Sequence, residues 1–115
     1  MKYLLTIYAD ESAEDTMPPD EMGKIMQAYG AYYEALAKAG ALQSAERLRP
    51  STDATSVRVR GGKTEVLNGP YAETREQLGG YFLIDVPDLD AALSWAARCP
   101  SSGYGTIEVR PIWEM

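Results

Sequence analysis

Hydrophobic positions follow two different periods along the chain, and the switches between them mark its elements. "KYLLTIY" near the N-terminus is dense in β-branched, aromatic and apolar residues and predicts a strand buried on at least one face. Ala9 to Pro19 is polar, ends in paired prolines and reads as a loop. From Asp20 the period changes to helical: Met22, Ile25, Met26, Tyr29, Tyr33 and Leu36 form one apolar stripe, with Gly40 as the stop. Asp20 and Glu21 suit the positive end of that helix. Gly30 inside it costs about 1 kcal/mol relative to Ala, which predicts a close backbone approach there.

The second half alternates again. "ALQSAERLR" is a weak strand ended by Pro50. Val57 and Val59 alternate with Arg58 and Arg60 as in a half-buried strand, Gly61-Gly62 supplies a two-residue hairpin turn, and Lys63 to Leu67 returns. "GYFLIDV" is the clearest central strand, and Asp88 caps a second helix, "LDAALSWAARC", with Leu89, Leu93 and Ala96 expected to face the core. Arg98 and Pro100 close that helix, and "GTIEVRPI" is the last strand. Trp95 and Trp113 read as core and C-terminal packing.

With the hairpin set aside, the order is strand, helix, strand, strand, helix, strand. That is an α+β chain with the ferredoxin-like split βαβ pattern and an inserted β-hairpin, in one domain over residues 1–115. Such a sheet is covered by helices on one face only. Leu4, Tyr8, Tyr81, Phe82 and Val109 are too apolar for the other face to stay wet, so a homodimer pairing two sheets face to face is expected.

Charge narrows the functional classes. The net charge of −6 argues against a direct nucleic-acid binder, which needs a basic surface. Asp10, Glu11, Glu14, Asp15, Asp20 and Glu21 make the N-terminal region acidic, whereas Arg47, Arg49, Arg58, Arg60, Lys63 and Arg75 gather mid-chain. The two groups are either solvated patches or the sign of a local anion site. The lone Cys99 excludes an internal disulfide and suggests a reducing compartment. The first apolar run is too short for a signal peptide or a membrane span, so a cytoplasmic protein is expected. With no His and one Cys, no metal site and no cofactor are expected.

The segment "NGPYAETREQLGG", Asn68 to Gly80, sits between the hairpin and the central strand. Its glycines are too widely spaced for a phosphate loop, and it lacks the lysine of one. Two readings remain. In the architectural one, Pro70 ends the hairpin, Ala72 to Leu78 form one or two helical turns, and Gly79-Gly80 release the chain into the strand. In the other the segment rims a site. Glu73, Glu76 and, on the last strand, Glu108 are then candidate catalytic bases. Asn68, Tyr71, Arg75, Arg58, Arg110, Tyr29 and Tyr8 are the candidate ligand-binding residues, the arginines for an anionic group. Tyr29, Tyr32 and Tyr33 either line an aromatic pocket or pack in the core.

The stretches "AYGAYYEALAKAGAL", "TSVRVRGGKTEVLNGPYAETREQLGGYFLIDVPDLDAALSWAARCP" and "IEVRPIWEM" resemble the YCII-related family, and specifically its branch named for an Asp-Gly-Pro-Phe motif. Here that motif reads Asn68-Gly69-Pro70-Tyr71. Asn cannot ionise at neutral pH, which favours a turn-shaping role over acid–base chemistry at its first position. The resemblance implies a dimeric α+β barrel enclosing a cleft. Some relatives carry a His–Asp pair in that cleft, and those positions fall near Tyr29 and at Cys99, so that dyad is absent. It further implies either a protein that binds or transforms a small anionic or oxygen-rich molecule, or a non-catalytic accessory protein linked to sigma-factor-dependent transcription. A closed pocket holding buried, mutually bonded Glu and Arg would mark the first; a filled barrel and an exposed apolar patch outside the dimer interface would mark the second.

Overall fold

The computed structural model describes residues 1–114. Strand β1 (Lys2–Ala9) alternates strictly, with Tyr3, Leu5, Ile7 and Ala9 buried. Next come a five-residue helix α1 (Glu11–Asp15), the long helix α2 (Pro19–Lys38) and strand β2 (Leu42–Arg47). A hairpin of β3 (Thr55–Arg60) and β4 (Lys63–Asn68) precedes β5 (Gln77–Asp85), α3 (Leu89–Arg98) and β6 (Thr106–Pro111). The antiparallel sheet has the order β2-β5-β1-β6, the split βαβ arrangement, with β3-β4 as a separate ribbon. The mixed α+β class and the inserted hairpin follow the sequence pattern.

Helices α2 and α3 cover one face of the sheet. Leu5, Leu36 and Ile84 are fully buried between the layers, and Phe82 stands between Tyr29 and Tyr32, stacked on the first at 6.3 Å and edge-on to the second at 5.1 Å. Gly40, at φ 71°, ends α2 in the left-handed conformation that Gly adopts without penalty. Gly61 and Gly62 turn the hairpin at φ 58° and 76°.

Several expectations are corrected. The acidic loop after β1 contains α1, because Asp10 caps it by accepting from the Ser12 backbone N–H at 3.0 Å and the Ser12 hydroxyl at 2.6 Å. Residues 72–76 are irregular rather than helical. There the Thr74 hydroxyl donates to the Glu76 carbonyl, the Gln77 amide donates to the Thr74 carbonyl at 2.7 Å, and Gln77 already pairs with Ala9 as the start of β5. On α3 the core face is Ala92 and Ala96 with Ala91 and Trp95, while Leu89 and Leu93 are about half exposed. Small alanines let the helix lie close to the sheet, and Trp95 fills the remaining space. Phe82 and Val109 face the helices, one residue out of phase with the assignment above; Leu4, Tyr8 and Tyr81 lie on the uncovered face. Trp113 is exposed.

The hairpin differs most. Val57, Val59 and Val66 are 63%, 57% and 63% exposed, so the alternation is present but none of the described residues covers its apolar side. The ribbon projects, which gives a radius of gyration of 16.1 Å; about 13 Å is usual for a compact chain of this length.

Candidate functional site

The α2 stripe explains why several of its members are not packed. Met26 and Tyr33 remain partly exposed because, with Met22, Ile25 and Tyr29, they form one wall of a cavity of about 440 Å³ between α2 and the sheet. Ile7, Ala45, Gly80 and Phe82 make the floor. Gly30 also lines it, and a Cβ there would meet nothing within 4 Å, so this glycine opens onto the cavity and makes no close helix contact. Gly80 has the opposite constraint: a Cβ would come 2.7 Å from the Glu46 carbonyl oxygen.

The β6 end of the cavity is polar. The Pro100–Gly103 turn brings the buried Ser101 hydroxyl into hydrogen-bond contact with the Tyr29 hydroxyl and within 3.1 Å of the Tyr104 hydroxyl. Tyr29 Oη also lies 3.5 Å from Cys99 Sγ. Tyr29, near the position where the resemblance placed a His, and Cys99, where it placed the Asp, are therefore in contact as a phenol and a thiol. Burial pushes the pKa of both groups up, Tyr29 well above its ordinary range. At neutral pH the cluster consists of neutral hydroxyls and a thiol able to donate hydrogen bonds.

The α1–β2 side bears charge. Glu14 and Arg47 line the cavity there, with Glu46. Burial raises the Glu14 pKa and the nearby Arg47 opposes that rise. The Glu11 backbone N–H donates to Gln77 Oε1 at 2.9 Å, and the Glu11 carboxylate accepts from the Ser51 N–H and hydroxyl at 2.7 and 2.6 Å. These bonds hold α1, and so Glu14, beside the opening.

The residues singled out from sequence fall in three places. Tyr29 is in the cavity. Tyr8, Arg75, Glu76 and Glu108 come together with Thr74 and Thr106 around a shallow groove of about 390 Å³ beside the uncovered sheet face, where Thr106 Oγ1 donates to Glu76 at 2.8 Å and Arg110 pairs with Glu108 at 3.0 Å. Asn68, Tyr71 and Glu73 are exposed outside both, and Arg58 pairs with Glu65 on the hairpin at 2.6 Å. Glu14, Arg47, Ser101 and Tyr104 were not candidate site residues in the sequence, where Glu14 and Arg47 stood only as members of the two charged groups, because the four come from three separate segments: α1, β2 and the turn before β6. Only the Cys-Pro-Ser turn after α3 offered a local signal. Among the described residues, no cluster of three or more Cys, Asp or Glu is placed to hold a metal ion, and no helix is long and apolar enough to cross a membrane.

Protonation of the cluster has a measurable consequence. Tyr29 and Cys99 keep their protons in the folded protein at pH values where the unfolded chain has released them, so the folded state binds more protons and stability falls as pH rises. The fall should begin near pH 9, the ordinary thiol value, and steepen past pH 10, the ordinary phenol value. Urea denaturation from pH 7 to 11 should show it, with a shallower slope in Tyr29→Phe. An equal slope in both proteins would contradict the assignment.

Comparison with known proteins agrees with this architecture. Over 114 residues the chain is 38% identical to an uncharacterised protein of Rhizobium meliloti, covering 97% of this chain and 92% of the relative. Its fold is similar to that of 5-chloro-2-hydroxyhydroquinone dehydrochlorinase (TftG) from Burkholderia phenoliruptrix, solved in complex with 2,5-dihydroxybenzoquinone. The TM-score is 0.50 at 14% identity, covering 99% of this chain and 94% of that one. The YCII-related domain model matches residues 1–115, and the chain belongs to that family.

Proposed function

We propose that the protein binds, and is built to transform, a small, flat, oxygen-bearing molecule in the cavity between α2 and the sheet. The observation that carries this reading is the pairing of apolar walls with one convergent hydroxyl cluster, Tyr29, Ser101 and Tyr104, the usual composition of a small-molecule site. Neutral donors gathered at one partly buried end stabilise negative charge on a ligand oxygen. Arg47 at the other side admits an anionic form. A ring bearing hydroxyl or carbonyl groups matches both features, and 2,5-dihydroxybenzoquinone, bound by the structurally similar dehydrochlorinase, is such a molecule. The cavity is not filled by side chains, which favours this reading over an accessory role tied to sigma factors; the exposed Val57, Val59 and Val66 of the hairpin are the one feature shared with the expectation for that role.

The test is a titration with 2,5-dihydroxybenzoquinone and related phenols, followed by NMR shifts of the cavity residues. Binding should weaken roughly tenfold in Tyr29→Phe and in Ser101→Ala, the cost of one well-placed hydrogen bond. Wild-type affinity in both variants would rule the cavity out as the site.

In the same reading the chain belongs to the Asp-Gly-Pro-Phe branch, with Asn68-Gly69-Pro70-Tyr71 as its motif, and is cytoplasmic, in keeping with the free thiol of Cys99. A second copy packs on the uncovered sheet face, supported by Leu4, Tyr8, Tyr81 and Leu83 there and by the buried Thr6 Oγ1, which has no hydrogen-bond partner among the described residues. The groove of Arg75, Glu76 and Glu108 would then lie at that contact as a secondary ligand or interface site. Light scattering at micromolar concentration should give twice the chain mass, and a monomer would remove the dimer.

A further inference from the structure

The cavity has a second polar end, and strand register fixes its distance from the first. Arg47 on β2 pairs with Gly80, Gly80 with Ile7 and Ile7 with Ile107 on β6, so one row of residues crosses the whole sheet. Residues paired in this way point to the same face, the face that α2 covers. Three inter-strand spacings separate Arg47 from Ile107, about 14 Å between backbones. The turn carrying Ser101 and Tyr104 leads directly into β6 beside Ile107. The hydroxyl cluster and the Glu14–Arg47 group thus stand at opposite ends of the row, with Ile7, Gly80 and Phe82 as apolar floor between them. Among the described residues, neither Glu14 nor Arg47 is engaged in an ion pair.

Resting on the cavity reading above, we propose that its ligand is a ring oxygenated at two opposite positions, of the para-diphenol or hydroxyquinone class. One oxygen is held by Tyr29, Ser101 and Tyr104, and the other is received by Glu14 and Arg47. At the second end a ligand hydroxyl donates to the Glu14 carboxylate. When the proton passes over, the ligand O–H bond breaks, Glu14 becomes the neutral acid, and the electron pair stays on the ligand oxygen beside the Arg47 guanidinium. Atoms and charge balance without any co-reactant. Partial burial of Glu14 makes it a better proton acceptor than a wet carboxylate. Glu11, Asp15 and Asp10 act in the same direction, Arg47 acts against them, and Glu46 also lines the cavity. Arg47 opposes the rise in the Glu14 pKa and stands beside the oxyanion once the proton has passed.

The experiment compares hydroquinone with phenol, both neutral at pH 7, by calorimetric titration of the full chain. Hydroquinone should bind roughly tenfold or more tightly, as one charge-assisted hydrogen bond implies. Glu14→Gln and Arg47→Met should each bring the ratio of the two affinities close to one, whereas Tyr29→Phe should weaken both probes and leave the ratio in place. The preference should also fade in acid as Glu14 takes up a proton, with a flat profile in Glu14→Gln. Both substituted side chains are partly solvent-exposed, and thermal melts of the variants check that the fold is intact. Equal affinity for the two probes, or a preference that survives both substitutions, overturns the two-ended ligand and leaves the cavity reading standing. Failure of both probes to bind, or binding indifferent to Tyr29→Phe, overturns both.

Discussion

Gly105→Ala should lower stability by about 3 kcal/mol, the upper part of the range for forcing a methyl group into a packed site. Gly105 links the Pro100–Gly103 turn to β6, and its N–H donates to the Ser101 carbonyl at 2.7 Å. An added Cβ would collide with the Tyr8 carbonyl oxygen and crowd both Ala9 Cβ and the Ser101 carbonyl at 3.3 Å. Two of these three neighbours are backbone atoms held by strand and turn bonds, so no rotamer change relieves the clash. Either β6 separates from β1 or the turn opens. Both outcomes displace Ser101 and Tyr104, so ligand affinity should fall along with the melting temperature, by roughly 10 °C for a domain of this size. Urea denaturation decides the matter: a loss below about 0.5 kcal/mol, the range of neutral surface changes, would mean that the strand junction yields easily.

Phe82→Ala should cost about 3 kcal/mol, at the low end for deleting a buried phenyl group. The low end applies because Phe82 borders a space that is already open, so part of its surface has no protein neighbour to lose. Its removal has a second effect. The ring stacks on Tyr29 with an interplanar angle of 5° and meets Tyr32 edge-on at 81°, and Tyr32 is itself tethered by donating to the Trp95 carbonyl at 2.7 Å. Without the phenyl group Tyr29 loses its lateral support and its hydroxyl is no longer fixed against Ser101. The variant should accept bulkier rings than the wild type while binding single rings more weakly. Unchanged affinity for a single ring would show that Ser101 alone positions Tyr29.

The sequence exposed the elements better than the site because the elements depend on short-range periods. β1, α2, the hairpin turn and the capped α3 each carry their signal within a few residues, and the strand order follows from their succession. Phase was harder. A hydrophobic residue on α2 can mean a packed core or a cavity wall, since both place apolar side chains at the same helical spacing; Met26 and Tyr33 belong to the wall. On α3 the larger Leu89 and Leu93 suggested a core face that Ala92 and Ala96 occupy, because close packing against a sheet favours small side chains. The segment from Asn68 to Gly80 attracted attention through its charges and glycines. Its contribution to the cavity comes from its end, where Gly79 and Gly80 line it and Gly80 lets β2 approach closely. The turn of Ser101 and Tyr104 comes to share a cavity with Glu14 and Arg47 only after the chain has crossed the sheet several times, an arrangement that no local pattern encodes.

Helix α1 gives the cavity a wall with its own timescale. It is tied down by three hydrogen bonds, from the Glu11 N–H to Gln77 and from the Ser51 N–H and hydroxyl to Glu11, each involving a side chain and none belonging to a strand ladder. At about 1 kcal/mol net apiece, releasing them costs on the order of 3 kcal/mol. At equilibrium that leaves roughly one molecule in a hundred or fewer with the wall detached while the sheet stays whole. A ligand that fits the standing opening would exchange without this step. One that needed the wall moved would be admitted and released only through this minor population, and its residence time would depend on the hold of Glu11 on Ser51 as well as on the contacts made inside.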